Sequence, residues 1–138
     1  MGMAVDISSS VLAAIRATAA ASPDEEVCGL LFGAADRVDA AVACANVAVD
    51  RACRFELDPV ALLRAHRAAR SGAAAIVGHY HSHPSGAASP SRCDADAAAP
   101  DGALWLIVAT GEVRAWRAVT DGAVHGRFDP LEIVRRDD

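Results

Sequence analysis

No stretch of this sequence stays apolar for the roughly 20 positions a bilayer-crossing helix needs. Its opening residues show no basic segment leading into an apolar one, as a secretory leader would. The start Met1-Gly2 is no myristoylation signal either, because Asp6 stands where that signal requires Ser or Thr. These absences argue against a membrane partner and lead us to expect a cytoplasmic protein. Basic runs are missing too. Lys and Arg together number 13 against 18 Asp and Glu, the formal net charge is −5, and the arginines are scattered. A nucleic-acid surface needs a concentrated basic face, so nucleic acid is excluded as a partner. The four cysteines, Cys28, Cys44, Cys53 and Cys93, form no C-x-x-C pair. With no leader they are expected to stay reduced, Cys28 as a small core residue. The sequence has no repeat and no low-complexity linker, which leaves one domain over residues 1–138.

What is present is enough apolar material for a core: 53% hydrophobic against 22% charged residues. Ser8 to Ala21 reads as an amphipathic helix, with serines as caps ahead of Val11, Leu12 and Ile15, and Ser22-Pro23 stops it. Val27 to Gly33 is a short apolar run that reads as a buried strand, and Arg37 to Val49 as its antiparallel partner. Asp58 followed by Pro59 marks a second helix, running to Arg70. "AAAIVGHYHS" and "ALWLIVAT" are two more buried strands, and strands are expected through "VRAWRAV" and "AVHGRF". A short helix is expected between the first two of these four. The order predicts an α/β (α+β) domain with one mixed sheet flanked by helices.

The residues with the most chemistry lie in "GHYHSHPSGAASPSRCD", Gly78 to Asp94. Alternate residues of a strand share a face, so His79, His81 and His83 point the same way. Two imidazoles at a strand end can converge on one transition-metal ion. Downstream, Ser91 is a helix N-cap candidate and Asp94 falls in the first turn, where its carboxylate can be aimed back at the strand end. Two histidines and one carboxylate leave a tetrahedral ion one open position, the pattern of catalytic rather than structural zinc.

His81-Ser82-His83-x7-Ser91-x2-Asp94 resembles the signature of the JAMM (MPN+, or JAB) zinc metalloproteases, in the form of their small stand-alone bacterial members. The resemblance extends to "EEVCGLLFG", which supplies the family's upstream glutamate as Glu26, and to the order of elements along essentially the whole chain. It implies an MPN/JAB-like domain of cytidine-deaminase-like architecture. It also sets the register: a His79/His81 pair would put the family's aspartate at Arg92, which cannot ligate zinc, so the pair is His81 and His83. His79 is then a neighbour, at a position where the family often has an aromatic. Asp96 is off register, and the Cys-Gly spacing favours Glu26 over Glu25.

The roles follow from the same resemblance. One zinc ion per chain is held by His81, His83 and Asp94; Glu26 is general base and then acid; Ser91 donates to the oxyanion. Cys93 is expected to be an inert thiol. The implied substrate is the amide or isopeptide bond after the C-terminal glycine of a ubiquitin-like protein. One variant of that reading is release of cysteine or another amino acid from a sulfur-carrier protein's tail. Relatives selective for one polyubiquitin linkage carry a long insertion after the aspartate, which Pro100-Asp101-Gly102 leaves no room for. Two other classes share parts of the pattern: JAB domains associated with DNA repair, which "HSHPSG" matches locally, and metal-free MPN scaffolds, which lack ligands that are all present here.

Overall fold

The computed structural model describes residues 3–138. Its elements are β1 (Ala4–Ser8), α1 (Ser9–Ala21), β2 (Cys28–Ala34), β3 (Arg37–Cys44), α2 (Pro59–Arg70), β4 (Ala75–Ser82), α3 (Arg92–Ala97), β5 (Leu104–Ala109), β6 (Glu112–Gly122) and β7 (Gly126–Arg136). The mixed α+β character expected from the sequence is what is found. The sheet also closes on itself, in the order β1-β3-β2-β4-β5-β6-β7 and back to β1.

Closure depends on two stretches that local pattern does not reveal. β1 pairs in parallel with β7 and with β3, yet it offers only Val5 and Ile7 as an alternating apolar signal before α1 begins. β7 runs to Arg136 rather than stopping near Phe128, and Pro130 lies inside it opposite Trp116. Proline has no N–H for the ladder and normally argues against an interior strand, which hides the second half of β7 in the sequence.

The helices obey their local signals. Ser8 caps α1, its hydroxyl accepting from the Val11 N–H at 3.2 Å, and Asp58 caps α2 in the same way through Val60 at 3.0 Å. Val11, Leu12 and Ile15 of α1 are buried against the strands, each side chain worth roughly 1.5–3 kcal/mol of transfer free energy.

β5 is buried along its whole length, and its alternation separates two cores. Leu104, Leu106 and Val108 join Val5, Ile7, Ile15, Leu31 and Tyr80. Trp105 and Ile107 turn the other way, to Trp116 and Phe128. Since His79 is in register with Trp105 and His81 with Ile107, these two histidines face the second, aromatic core. Gly29 makes the tight packing of the first core possible, because a Cβ there would run into the Tyr80 ring. Gly78 does the same where β4 crosses close to the Leu104 carbonyl.

Candidate metal centre

Three elements meet at the carboxyl end of β4. The β2–β4 register pairs Cys28 with His81, so Glu26, just before β2, lies beside His83. Ser82 ties the two segments, its N–H donating to the Val27 carbonyl at 3.0 Å and its hydroxyl accepting from the Val27 N–H at 2.9 Å. From the other side, α3 presents Asp94. Its helix start is a capping box: the Asp94 N–H donates to Ser91 Oγ at 3.0 Å, and the Ser91 N–H donates to Asp94 Oδ2 at 2.9 Å.

These constraints bring together the residues singled out by spacing. His81 Nε2 lies 3.1 Å from His83 Nε2, and each lies 3.2 Å from Asp94 Oδ2. Ligand atoms of Glu26, His81 and His83 all fall within 4.8 Å of one another. Zinc bonds of about 2.0–2.1 Å in a tetrahedron place neighbouring ligand atoms about 3.3 Å apart, so the triangle has the right size. Its chemistry fits as well. His83 Nδ1 is 2.9 Å from the Ala87 carbonyl, which can only accept, so Nδ1 carries a ring proton and Nε2 is the nitrogen turned to the triangle. Two ring nitrogens this close to each other and to a carboxylate oxygen call for a cation among them, a proton or a metal ion.

Burial shapes the electrostatics. His81 is fully buried, and Glu26 and Asp94 are each 6% exposed. Burial pushes the Glu26 carboxyl up to about 7; His83 opposes that shift, while Asp94 and Asp50 add to it. Glu26 Oε1 has no hydrogen-bond partner among the described residues. Burial also raises Asp94, but hydrogen bonds from His81 and His83 outweigh it and hold the carboxyl well below the usual range. His81 is lowered by burial, against the pull of Asp94. For His83, burial is outweighed by Asp94 and the Ala87 carbonyl, and the net shift is upward.

The residues outside the cluster are equally distinct. Glu25 is half exposed and pairs with Arg51 at 3.4 Å, leaving Glu26 as the inward carboxylate. His79 packs edge-on to Trp105, and burial lowers it to about 3. Asp96 is exposed on α3, and Cys93 is a free thiol on the same helix. Cys28 is buried, with its thiol pushed up to about 12 by burial.

A cleft of about 190 Å³ opens over the cluster between Glu26, Cys53, His83, Ser85 and Ser91. A larger cavity, about 760 Å³, lies away from it, between α2 and the sheet around Leu62, His66 and Arg117. Two contributors gave no signal in the sequence. Phe55 stacks on the His81 ring, and Asn46 hydrogen-bonds the Glu26 carbonyl at 2.8 Å. Both lie on the irregular segment between β3 and α2, where neither periodicity nor a motif points to a partner.

A closed mixed sheet that sets two strand-end histidines against a helix-capping aspartate defines a domain of the JAB/MPN type. The chain belongs to the family described as prokaryotic homologs of the JAB domain, whose model matches residues 8–119. It is 38% identical to a desampylase of Haloferax volcanii over 109 residues, 78% of each chain. A desampylase of Pyrococcus furiosus is 35% identical over 96 residues, covering 69% of this chain and 68% of that one. A protein of Desulfitobacterium hafniense with a known solution structure superposes with a TM-score of 0.81 at 24% identity, covering 97% of this chain and 94% of that one. The chain is a hydrolase of the JAMM zinc type. Among the described residues no helix is long and apolar enough to cross a membrane.

Proposed function

We propose that this protein is a zinc-dependent isopeptidase acting on the amide bond after the C-terminal glycine of a ubiquitin-like protein. The triangle of His81, His83 and Asp94 beside a buried Glu26 carries this reading. His81, His83 and Asp94 would hold the ion. A zinc ion there supplies Lewis acidity, lowering the pKa of a bound water from about 16 towards 7 and polarising a carbonyl.

The chain's own residues do the rest. Glu26, buried beside the histidines with Oε1 unpartnered among the described residues, is placed to accept a proton from water and to return it to the leaving amine. Ser91 uses a lone pair to cap α3, so its O–H stays free to donate to an oxyanion in the cleft it lines. His83 keeps its proton on Nδ1, bound to the Ala87 carbonyl, and Asp94 stays ionised.

The ubiquitin-like substrate comes from the resemblance to the JAMM family, and relatives named desampylases accord with it. The short connection from Ala97 to Leu104 supports recognition of a single carrier domain. An extended glycine-ended tail suits a shallow groove beside a sheet. The test is a folded ubiquitin-like carrier fused through its terminal glycine to a short peptide, compared with the isolated tail peptide. The fusion is expected to be cut much faster, since docking of the carrier contributes to transition-state binding. Equal rates would overturn carrier recognition.

A further inference from the structure

Three of the four grouped side chains have an evident restraint. His83 is fixed through Nδ1 by the Ala87 carbonyl, and Asp94 through Oδ2 by the Ser91 N–H. Glu26 is fixed through its backbone: its N–H donates to the Arg51 carbonyl at 2.7 Å, and its carbonyl accepts from Asn46 Nδ2 at 2.8 Å. His81 is the exception. Its Nδ1 is buried with no hydrogen-bond partner among the described residues. A metal-binding histidine normally donates that second ring N–H to a carbonyl, carboxylate or water, which sets its ring plane. Rotation about χ2 of a histidine is soft, so something else must set it here.

Phe55 does so by stacking. Its ring lies 4.3 Å from the His81 ring with an interplanar angle of 17°, and the Trp105 edge closes in at 5.8 Å and 85°. Phe55 also meets His79 at 5.4 Å and Trp105 at 5.9 Å, and one side chain anchors the backbone on either side of it. Asn46 donates from Nδ2 to the Arg54 carbonyl at 3.0 Å and accepts at Oδ1 from the Glu56 N–H at 3.0 Å, which brackets Phe55 on both sides. Its second Nδ2 proton goes to Glu26, and Oδ1 also accepts from the Ala48 N–H at 3.0 Å. All four hydrogen-bonding positions of the amide are filled.

We propose that Asn46 and Phe55 are positioning residues, one clamp that orients the His81 ring through stacking and the Glu26 backbone through hydrogen bonding. The clamp rests on the reading of His81 as a zinc ligand and Glu26 as the proton carrier. Neither Asn46 nor Phe55 lines the cleft over the cluster. Phe55→Leu keeps apolar bulk but loses the flat face, Phe55→Tyr restores it, and Asn46→Ala releases both Phe55 and Glu26.

Zinc affinity is measured by competition with a chromophoric chelator, without substrate. Removing a supporting partner of a metal ligand costs roughly 10–100-fold. Phe55→Leu is expected to weaken zinc at least tenfold, and Phe55→Tyr to bind as the unmutated protein does. Asn46→Ala weakens zinc and also lowers kcat, with KM little changed. The double variant is weakened less than the product of the two single effects, because both act through one ring. In the unmutated metal-free protein, the His81 ring protons are expected upfield of the other histidines, under the Phe55 ring current. Wild-type zinc affinity in Phe55→Leu overturns the clamp, as does an unshifted His81 ring, which also covers the case of a variant that fails to fold. Failure of the function reading looks different: zinc bound with the expected variant pattern, but no cleavage by the unmutated enzyme.

Discussion

Ser91 and Asp94 hold each other through two reciprocal hydrogen bonds, 2.9 Å and 3.0 Å, at the first turn of α3. The arrangement aims a carboxylate oxygen at His81 and His83 while leaving the serine hydroxyl proton unspent. Separating the two roles of Ser91 is therefore possible. Ser91→Gly keeps the backbone N–H to Asp94 and costs a cap only a few tenths of a kcal/mol. It is expected to retain zinc and its melting temperature but to lose about a hundredfold in kcat, the usual cost of one oxyanion donor. Unchanged turnover would leave Ser91 as a cap alone.

The second expectation concerns the metal. Purified protein should carry one zinc per chain, and the double variant His81→Ala with His83→Ala should carry none, since Asp94 alone makes a poor zinc site. Elemental analysis decides the matter. Stoichiometric zinc in the double variant would place the ion elsewhere.

Glu26→Gln tests proton transfer. The amide is close in shape but cannot accept a proton, so zinc and fold should persist while turnover drops by two or more orders of magnitude. Glu25→Gln, on the exposed ion pair with Arg51, should change activity little. The reverse pattern, measured side by side on one fusion substrate, would shift the assignment by one residue.

The same substitution has a pH signature in the metal-free protein. Burial raises Glu26 from 4.5 to about 7, so the ionised side chain is disfavoured in the folded state. A raised carboxyl leaves stability intact below the unfolded value and erodes it as pH rises to the folded value, because the unfolded chain ionises first. Metal-free Glu26→Gln should therefore be the more stable protein at pH 8, by up to about 3 kcal/mol on the usual conversion of a pKa shift. The advantage should shrink below pH 7 and vanish near pH 4. Urea melts at these values check it, and an advantage that grows on acidification would refute the sign.

How far the sequence alone reaches is visible in the residues of the cluster. The strand period puts His81 and His83 on one face, and cap chemistry puts Ser91 and Asp94 at a helix start. Both rules act over a few neighbouring residues, so spacing carries the information. The two long helices were legible for the same reason, through Ser8 and Asp58. The choice of Glu26 over Glu25 was legible only through resemblance, because two adjacent carboxylates look alike until one is buried.

Tertiary structure decided what depends on distant partners. β1 and β7 join through pairs such as Val5 with Ile133, at opposite ends of the chain, and that pairing closes the sheet. A five-residue strand and a strand containing Pro130 have no local advantage that would announce them. The upward shift of Glu26 arises from burial beneath the segment that carries Arg51 and Asn46. Phe55 meets His81 only because that segment folds back across the end of β4. Ligand types and spacing follow from local backbone geometry, whereas desolvation, ring stacking and sheet closure follow from which distant residues exclude water together.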